Sequence, residues 1–147
     1  VVVFVDGDGS NVAAELPALV APILSGEAEM VIGSRARKSD PGSLTFPQKF
    51  GNILAIRLLK VLYGMHYTDL GPFRAIEWDA LERLQMADRN YGWTVEMQIK
   101  AAKLRVAVRE IDVSNKARIA GRSKVAGTIK GVAGAGYKII YTILKYR

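Results

Sequence analysis

The chain has 147 residues, half of them apolar, which suffices for one domain with a hydrophobic core and is too short for two. It contains no cysteine and a single histidine, which excludes disulfide frameworks, thiolate metal sites, histidine-rich metal clusters and most Ser/His or Cys/His catalytic arrangements. Carboxylates remain as the acid, base and metal-binding groups. Lys and Arg outnumber Asp and Glu by 21 to 14, and the net charge of +7 favours phosphates, nucleic acid or an anionic bilayer as partners.

The first half of the chain alternates between strand and helix patterns. Residues 1–5 form an apolar, β-branched run, which predicts a strand buried on both faces, as in a parallel sheet flanked by helices. Because this run starts at the first residue, we expect the chain to be a fragment of a larger domain. The elements predicted after it are a helix over 17–24, a strand over 30–32, a polar and basic surface loop over 35–45 and a helix over 47–63.

The second half continues the alternation and ends in a basic, amphipathic region. The predicted elements are a strand over 73–76, helices over 78–84 and 94–104, and a strand over 106–113. A basic loop follows at 114–124, and residues 125–147 are predicted to form an amphipathic C-terminal helix. Glycines weaken this helix by roughly 1 kcal/mol each, so it requires a partner surface. The pattern indicates a single domain of the α/β class.

Two acidic residues directly follow the first strand, in the sequence Asp6-Gly7-Asp8. Ligands of open α/β sheets bind beyond the carboxyl ends of the strands. Two carboxylates separated by a glycine can hold a hard divalent cation against a diphosphate there. The same residue types also occur in ordinary turns, so the motif alone leaves both interpretations open.

Together with segments downstream, this motif resembles the family 2 glycosyltransferases, whose Asp-x-Asp motif closes a strand in the same way. The stretch 67–76 resembles the family's Asp-x-x-x-x-Phe-Arg segment, and 116–124 resembles its Arg-x-x-Gly-x-Ser-Lys loop. Gly33-Ser34-Arg35, at the end of the second strand, is similar to the corresponding sequence of members that act on lipid-linked acceptors. The resemblance is to the polyprenol-phosphate and dolichyl-phosphate sugar transferases and covers nearly the whole chain.

This resemblance implies a fold and an activity. The fold would be a partial GT-A domain, a three-layer α/β sandwich with a mostly parallel sheet. It would comprise the C-terminal portion of the catalytic domain, without the N-terminal half that binds the nucleotide base. The activity would be the inverting, metal-dependent transfer of a hexose from a nucleoside-diphosphate sugar to an acceptor, for which a polyprenyl phosphate is expected. The cofactor would be Mg²⁺ or Mn²⁺.

The resemblance also implies roles for individual residues. Asp8, assisted by Asp6, would bind the metal. Asp69 would orient or deprotonate the acceptor, and Glu96 would be a second base. The phosphate-binding residues would be Arg35, Arg74, Arg118, Ser123 and Lys124. Structural explanations stand beside these roles: a turn or cap for Asp69, a helix-dipole contact for Glu96, and an ion pair with Asp69 for Arg74.

The expected location is cytoplasmic and peripheral at the membrane. An anionic membrane surface is the expected partner beside the two substrates, with no nucleic acid. The basic loop and the apolar residues Ile139, Ile140, Ile143 and Leu144 would contact the bilayer.

Two other interpretations remain open. A haloacid-dehalogenase-like phosphatase would use Asp6 as nucleophile and Asp8 as acid and base, but the late acidic pair that such enzymes need does not occur. A non-enzymatic basic domain would bind membrane or nucleic acid through charge alone.

Overall fold

The structure, a computed structural model, describes residues 1–117 and 128–147, without the side chain of Ile129. Its elements are β1 (Val2–Phe4), α1 (Leu16–Leu24), β2 (Met30–Ser34), α2 (Phe46–Tyr63), β3 (Arg74–Ile76), α3 (Trp78–Leu84), α4 (Trp93–Lys103), β4 (Val108–Asp112) and α5 (Ile129–Lys145), with a 3₁₀ turn at Ala13–Glu15 before α1. From β1 to β4 the observed ends lie within two residues of those predicted from the sequence.

The four strands form one sheet in the order β1-β3-β2-β4. β3 pairs antiparallel with both β1 and β2, whereas β2 and β4 pair in parallel. It follows that three of the four strands, β1, β2 and β4, run in one direction and β3 runs against them, so that the sheet is mixed, with one parallel and two antiparallel pairings. The carboxyl ends of β1, β2 and β4 therefore lie at the same edge of the sheet as the start of β3.

Helices cover both faces of this sheet. Side chains of β2 alternate between the two faces: Met30 and Ile32 pack with α3 and α4, and Val31 packs with α1. All three are fully buried, and burial of such a side chain stabilises the fold by roughly 1.5–3 kcal/mol. The architecture is the predicted three-layer α/β sandwich.

β1 lies at an edge of the sheet and is only half-buried. Val2, Val3 and Phe4 are partly exposed, and Val1 and Val5 are each 53% exposed. The prediction that this run is buried on both faces is therefore wrong for the described residues. An edge strand has a neighbouring strand on one side only, and the helix layers reach its central residues, as where the ring of Phe4 meets that of Trp93 at 5.2 Å between centroids.

A separate apolar cluster joins α2, α4 and α5. Leu59, Ile99 and Ile143, one from each helix, are fully buried in it, and the hydroxyl of Tyr63 donates a hydrogen bond to the carbonyl of Ile143. The partner surface that the C-terminal helix requires is thus inside the domain. Because Ile143 belongs to this core, its predicted contact with a bilayer is wrong. No helix among the described residues is long and apolar enough to cross a membrane.

Candidate functional site

The predicted site residues meet at the sheet edge where β1 and β2 end. Asp6 follows β1, Arg35 follows β2, and Asp69 lies in the loop that leads into β3. Strand register brings these segments together, because Phe4 of β1 and Ile32 of β2 both pair with Arg74 of β3.

Arg35 holds the carboxylate of Asp69 through three hydrogen bonds. Its backbone N–H and its Nε donate to Oδ2 at 2.9 and 2.7 Å, and its Nη2 donates to Oδ1 at 2.9 Å. Burial lowers the pKa of Arg35, but the hydrogen bonds and charge of Asp69, together with the charge of Asp6, outweigh this effect and raise it. The three residues form one electrostatic unit in which the orientation of the Asp69 carboxylate is fixed.

Glu110 of β4 anchors the backbone of the same loop. Its Oε1 and Oε2 both accept the N–H of Thr68 at 3.0 Å, and Oε1 also lies 3.4 Å from the N–H of Asp69. Burial raises the pKa of Glu110, hydrogen bonds from Thr68 and Asp69 lower it, and the charge of Asp69 raises it, so that the net shift is upward. The sequence analysis missed Glu110, because a contact across 41 residues leaves no spacing signal.

Two neutral side chains complete the support of this loop. Gln98 of α4 donates from Nε2 to the carbonyl of Asp69 at 3.0 Å. Asn52 of α2 accepts the N–H of Leu70 at Oδ1, at 2.9 Å. The position of Asp69 is therefore set jointly by α2, α4 and β4.

Two glycines allow the loop to approach the end of β2. A Cβ on Gly71 would lie inside contact distance of the carbonyl oxygen of Gly33 and 3.0 Å from Oδ2 of Asp69. A Cβ on Gly33 would lie 2.9 Å from the carbonyl oxygen of Phe73. A side chain at either position would force the residues before and within β3 away from the end of β2.

Arg74 is an internal support for this loop. It is fully buried, and it donates from Nε to the carbonyl of Gly71 at 3.0 Å and from Nη1 to that of Thr94 at 3.1 Å, while its guanidinium lies 5.0 Å from the centroid of the Trp93 ring. Burial lowers the pKa of Arg74 to about 9, which still leaves it charged at neutral pH. The predicted contact of Arg74 with a substrate phosphate is wrong, because its donors face backbone carbonyls inside the protein.

Glu96 is likewise part of the interior. Its fully buried carboxylate accepts the N–H groups of Ala87 and Asp88 and the hydroxyl of Tyr146, and pairs with Lys100 at 2.7 Å. Burial raises the pKa of Glu96, but hydrogen bonds from Lys100, Tyr146 and the two backbone groups outweigh it and lower the pKa to about 2. The predicted role of Glu96 as a base is wrong, because a carboxylate stabilised in its charged form by four partners is a poor proton acceptor.

The Asp6-Gly7-Asp8 turn fits a shared metal site. Asp6 is exposed, Asp8 is partly exposed, and Oδ1 of Asp8 accepts the N–H of Ser10 at 2.9 Å. Among residues 1–117 and 128–147 there is no group of three His, Cys, Asp or Glu side chains that could enclose an ion. Mg²⁺ commonly takes one or two carboxylates together with substrate phosphates and water, and Mn²⁺ also prefers oxygen ligands. The pair of carboxylates therefore suits an ion held jointly with a diphosphate.

The segment after β4 lies against this turn. The N–H of Lys116 donates to the carbonyl of Ser10 at 2.9 Å, and the buried Asn115 forms bridges with both Asn11 and Ser39. Residues 114–116 thus connect the turn after β1 to the basic loop after β2. The predicted phosphate ligands that follow them, Arg118, Ser123 and Lys124, lie outside the described residues.

Comparison with curated proteins gives the family relationship. The chain is 33% identical over 133 residues to an uncharacterised glycosyltransferase of Mycobacterium tuberculosis H37Rv, with 89% of the chain and 59% of the relative aligned. It is a relative of the glycosyltransferases. It is also 29% identical over 144 residues to an undecaprenyl-phosphate mannosyltransferase of Micrococcus luteus, with 90% and 56% aligned. The chain thus spans little more than half the length of the curated proteins that it matches, and no family model matches it.

Solved structures confirm the fold of the chain. Glucosyl-3-phosphoglycerate synthase of M. tuberculosis in complex with phosphoglyceric acid matches with a TM-score of 0.70 at 22% identity, over 98% of this chain and 48% of the synthase. The same enzyme in complex with Mn²⁺ and uridine-diphosphate-glucose matches with a TM-score of 0.63 at 19% identity. The α/β sandwich described above is of the GT-A type.

Proposed function

We propose that the chain is the acceptor-side part of an inverting family 2 glycosyltransferase that transfers a hexose from a nucleoside-diphosphate sugar to a polyprenyl phosphate. The observation that carries the proposal is the meeting of Asp6, Arg35 and Asp69 at one edge of a GT-A-type sheet. The relationship to an undecaprenyl-phosphate mannosyltransferase supports the acceptor, and the similarity to a synthase that binds Mn²⁺ and uridine-diphosphate-glucose supports the donor and the cofactor.

On the donor side, the Asp6-Gly7-Asp8 turn would hold Mg²⁺ or Mn²⁺ together with the diphosphate. Asp8 would be the main protein ligand and Asp6 would assist it, because both lie at the strand end where such ligands bind. The ion, when bound, offsets the charge that develops on the departing nucleotide. Arg118, Ser123 and Lys124 are proposed to add phosphate contacts because the stretch 116–124 resembles the Arg-x-x-Gly-x-Ser-Lys loop of the family.

On the acceptor side, Arg35 binds a phosphate and Asp69 orients it. A guanidinium has five N–H groups, and Asp69 accepts hydrogen bonds from Nε and Nη2, so that Arg35 can also contact an anion. A polyprenyl phosphate is already ionised near neutral pH. Asp69 therefore need not remove a proton, and its proposed role is orientation, which agrees with a carboxylate that Arg35 holds through hydrogen bonds from its side chain and its backbone.

The reaction is an in-line displacement. A phosphate oxygen of the acceptor attacks the anomeric carbon of the sugar, and the bond from that carbon to the nucleoside diphosphate breaks on the opposite face. The anomeric configuration is inverted, and the electron pair of the broken bond leaves on the diphosphate. The chain contributes by holding the two phosphates in this alignment.

A transfer assay with Mn²⁺, a set of nucleotide sugars and a polyprenyl phosphate tests the proposal, with this chain and its variants assayed within the full-length protein that also contains the donor-side part. Asp8→Asn is expected to lower turnover about 100-fold or more, because it weakens a metal ligand at the reacting diphosphate. The matched control is Asp79→Asn, which changes an exposed carboxylate in α3 and is expected to retain full activity. Unchanged turnover and an unchanged metal requirement in the Asp8 variant would contradict the assignment.

The proposed location is the cytoplasmic face of a membrane, where the protein acts peripherally on a lipid-linked precursor of a cell-envelope glycan. The net charge of +7 supports an anionic membrane surface as the partner.

A further inference from the structure

The acidic residues of the chain are unevenly distributed. All 14 of them lie within 6–40 and 69–112. Helices α2 and α5, which pack against each other, contain none. Their cations are Lys49, Arg57 and Lys60 in α2 and Lys130, Lys138 and Lys145 in α5. The two helices themselves thus contribute cations and no carboxylate; of these cations, Lys138 pairs with Asp88 at 3.0 Å.

α2 also exposes a continuous apolar stripe. Large apolar side chains between 36% and 80% exposed lie on its outward side, opposite the buried Ala55 and Leu59; they are Phe46, Phe50, Ile53, Leu54 and Val61. At 100° per residue these positions fall within one face of the helix, with Arg57 among them and Lys49 and Lys60 along one border. We call this surface the α2 face. Soluble proteins rarely expose so continuous an apolar stripe unless it contacts a partner.

The charges of the α2 face identify its partner. Apolar and aromatic side chains beside Lys and Arg, without carboxylates, are typical of helices that lie in the interface of an anionic bilayer. A second copy of the chain placed on the same face would bring Lys49, Arg57 and Lys60 close to their own equivalents, and the like charges would repel.

We propose that the α2 face lies in the headgroup region of an anionic phospholipid bilayer, with the axis of α2 parallel to the membrane plane. The neighbouring α5 also exposes two aromatic side chains, Tyr137 and Tyr141, which stack at 6.2 Å between ring centroids. Tyr side chains favour the boundary between headgroups and acyl chains. The contact is therefore centred on α2, whereas the sequence alone indicated α5 and the basic loop.

Helix α2 is linked to the candidate site by one hydrogen bond. Asn52, on the side of α2 that faces the protein, accepts the N–H of Leu70, the residue after Asp69. A bilayer in contact with the α2 face would hold the loop that contains Asp69, together with its partner Arg35, at a fixed distance from the membrane. This consequence rests on the proposed function, because a polyprenyl phosphate presents its phosphate in the headgroup plane and could reach Arg35 without leaving the membrane.

Vesicle flotation tests the α2 face. The probes are vesicles of phosphatidylcholine with and without phosphatidylglycerol. A triple variant with Phe46→Ser, Phe50→Ser and Val61→Ser is expected to show a partition coefficient about tenfold or more below that of the parent on vesicles that contain phosphatidylglycerol. Leu24→Ser with Trp78→Ser is the matched control, because it removes exposed apolar side chains from α1 and α3 and should leave binding unchanged.

A charge variant and a folding measurement complete the test. Lys49→Gln with Lys60→Gln should weaken binding to vesicles that contain phosphatidylglycerol and leave the remaining binding less sensitive to salt. All replaced side chains are exposed, so thermal unfolding of the variants should match that of the parent. Flotation of the triple variant at the level of the parent would overturn the proposal. The proposal would also be overturned if the parent did not float, or if the parent formed a dimer that was lost in the triple variant and in no other variant.

A transfer assay separates this proposal from the proposed function. The triple variant should retain transfer to a short-chain, water-soluble polyprenyl phosphate and lose transfer to a long-chain acceptor embedded in vesicles. If neither acceptor receives sugar from the parent while its vesicle binding is normal, the proposed function fails and the α2 face stands. If the triple variant transfers to both acceptors as the parent does, the α2 face is wrong and the proposed function stands.

Discussion

The guanidinium of Arg35 and the carboxylate of Asp69 form a bidentate ion pair between two chain segments that are 34 residues apart. The side chains are 17% and 3% exposed, so the pair is largely shielded from solvent. Each of the two groups assigned to acceptor binding thereby sets the orientation of the other. A phosphate that reaches this edge meets a cation already held in place, which reduces the entropy lost on binding.

Arg35→Lys is expected to lower the free energy of unfolding by about 1–3 kcal/mol, because an ammonium cannot reproduce the two parallel hydrogen bonds to Asp69. Urea titration measures this change. The matched control is Arg109→Lys, since Arg109 forms an ion pair with Glu27 in which both side chains are more than half exposed. A surface pair of that kind contributes about 0–1 kcal/mol. Equal effects of the two substitutions would contradict the structural role given to Arg35.

Gly71→Ala is expected to destabilise the protein by about 1–3 kcal/mol and to weaken acceptor binding, because the added methyl group overlaps the carbonyl oxygen of Gly33. Gly51→Ala is the control. A Cβ on Gly51, in α2, meets no atom within 4 Å, and Ala in a helix interior is favoured over Gly by roughly 0.5–1 kcal/mol. Thermal unfolding of both variants gives the comparison, and an unaffected Gly71 variant would show that the loop can move away from β2.

Glu96 is expected to make the fold sensitive to acid. Its pKa is lowered from 4.5 to about 2 in the folded protein, so its charged form contributes stability above the unfolded pKa near 4.5. That contribution, about 1–3 kcal/mol, is lost as the pH falls from about 5 towards 2. Urea titrations across this pH range should show a smaller loss of stability for Glu96→Gln than for the parent. Parallel curves would show that Glu96 is not the group that titrates.

Glu110→Ala is expected to lower the free energy of unfolding by about 1–3 kcal/mol, because it removes the acceptor of the N–H groups of Thr68 and Asp69. Transfer should fall as well, since the loop that carries Asp69 loses its anchor on β4. Glu110→Gln keeps one acceptor oxygen and should recover part of both. If Glu110→Ala had no effect on either quantity, Gln98 and Asn52 alone would be sufficient to hold the loop.

The fold could be predicted from the sequence because it depends on periodicity. Helix α2 follows from apolar residues at helical spacing, although most of these side chains are exposed, and strand β2 follows from a short apolar run that is fully buried. The reversed direction of β3 could not be predicted, since a three-residue strand has no pattern that encodes its partner or its direction.

The site residues differ in how well the sequence predicted their position. Asp6 and Arg35 follow strands that end at the same edge of the sheet, which strand order alone predicts. Asp69 lies before β3 and joins them because β3 runs in the opposite direction. Arg74 and Glu96 match the expected residue types but face the interior. Whether a side chain points to solvent depends on tertiary contacts, such as that of Tyr146 with Glu96 across 50 residues, which residue type does not reveal.

The short segment around Asn115 joins the turn after β1 to the basic loop after β2. It is fixed on one side to the strand-end turn, through the bond from Lys116 to Ser10, and on the other to the basic loop, through bonds at 2.9 Å from Asp40 and at 3.2 Å to Lys38. Three chain segments that are far apart in sequence are thereby fastened together by main-chain hydrogen bonds. Because these bonds use backbone groups, the connection depends on the path of the chain through 114–116 and tolerates exchange of the side chains that only flank it.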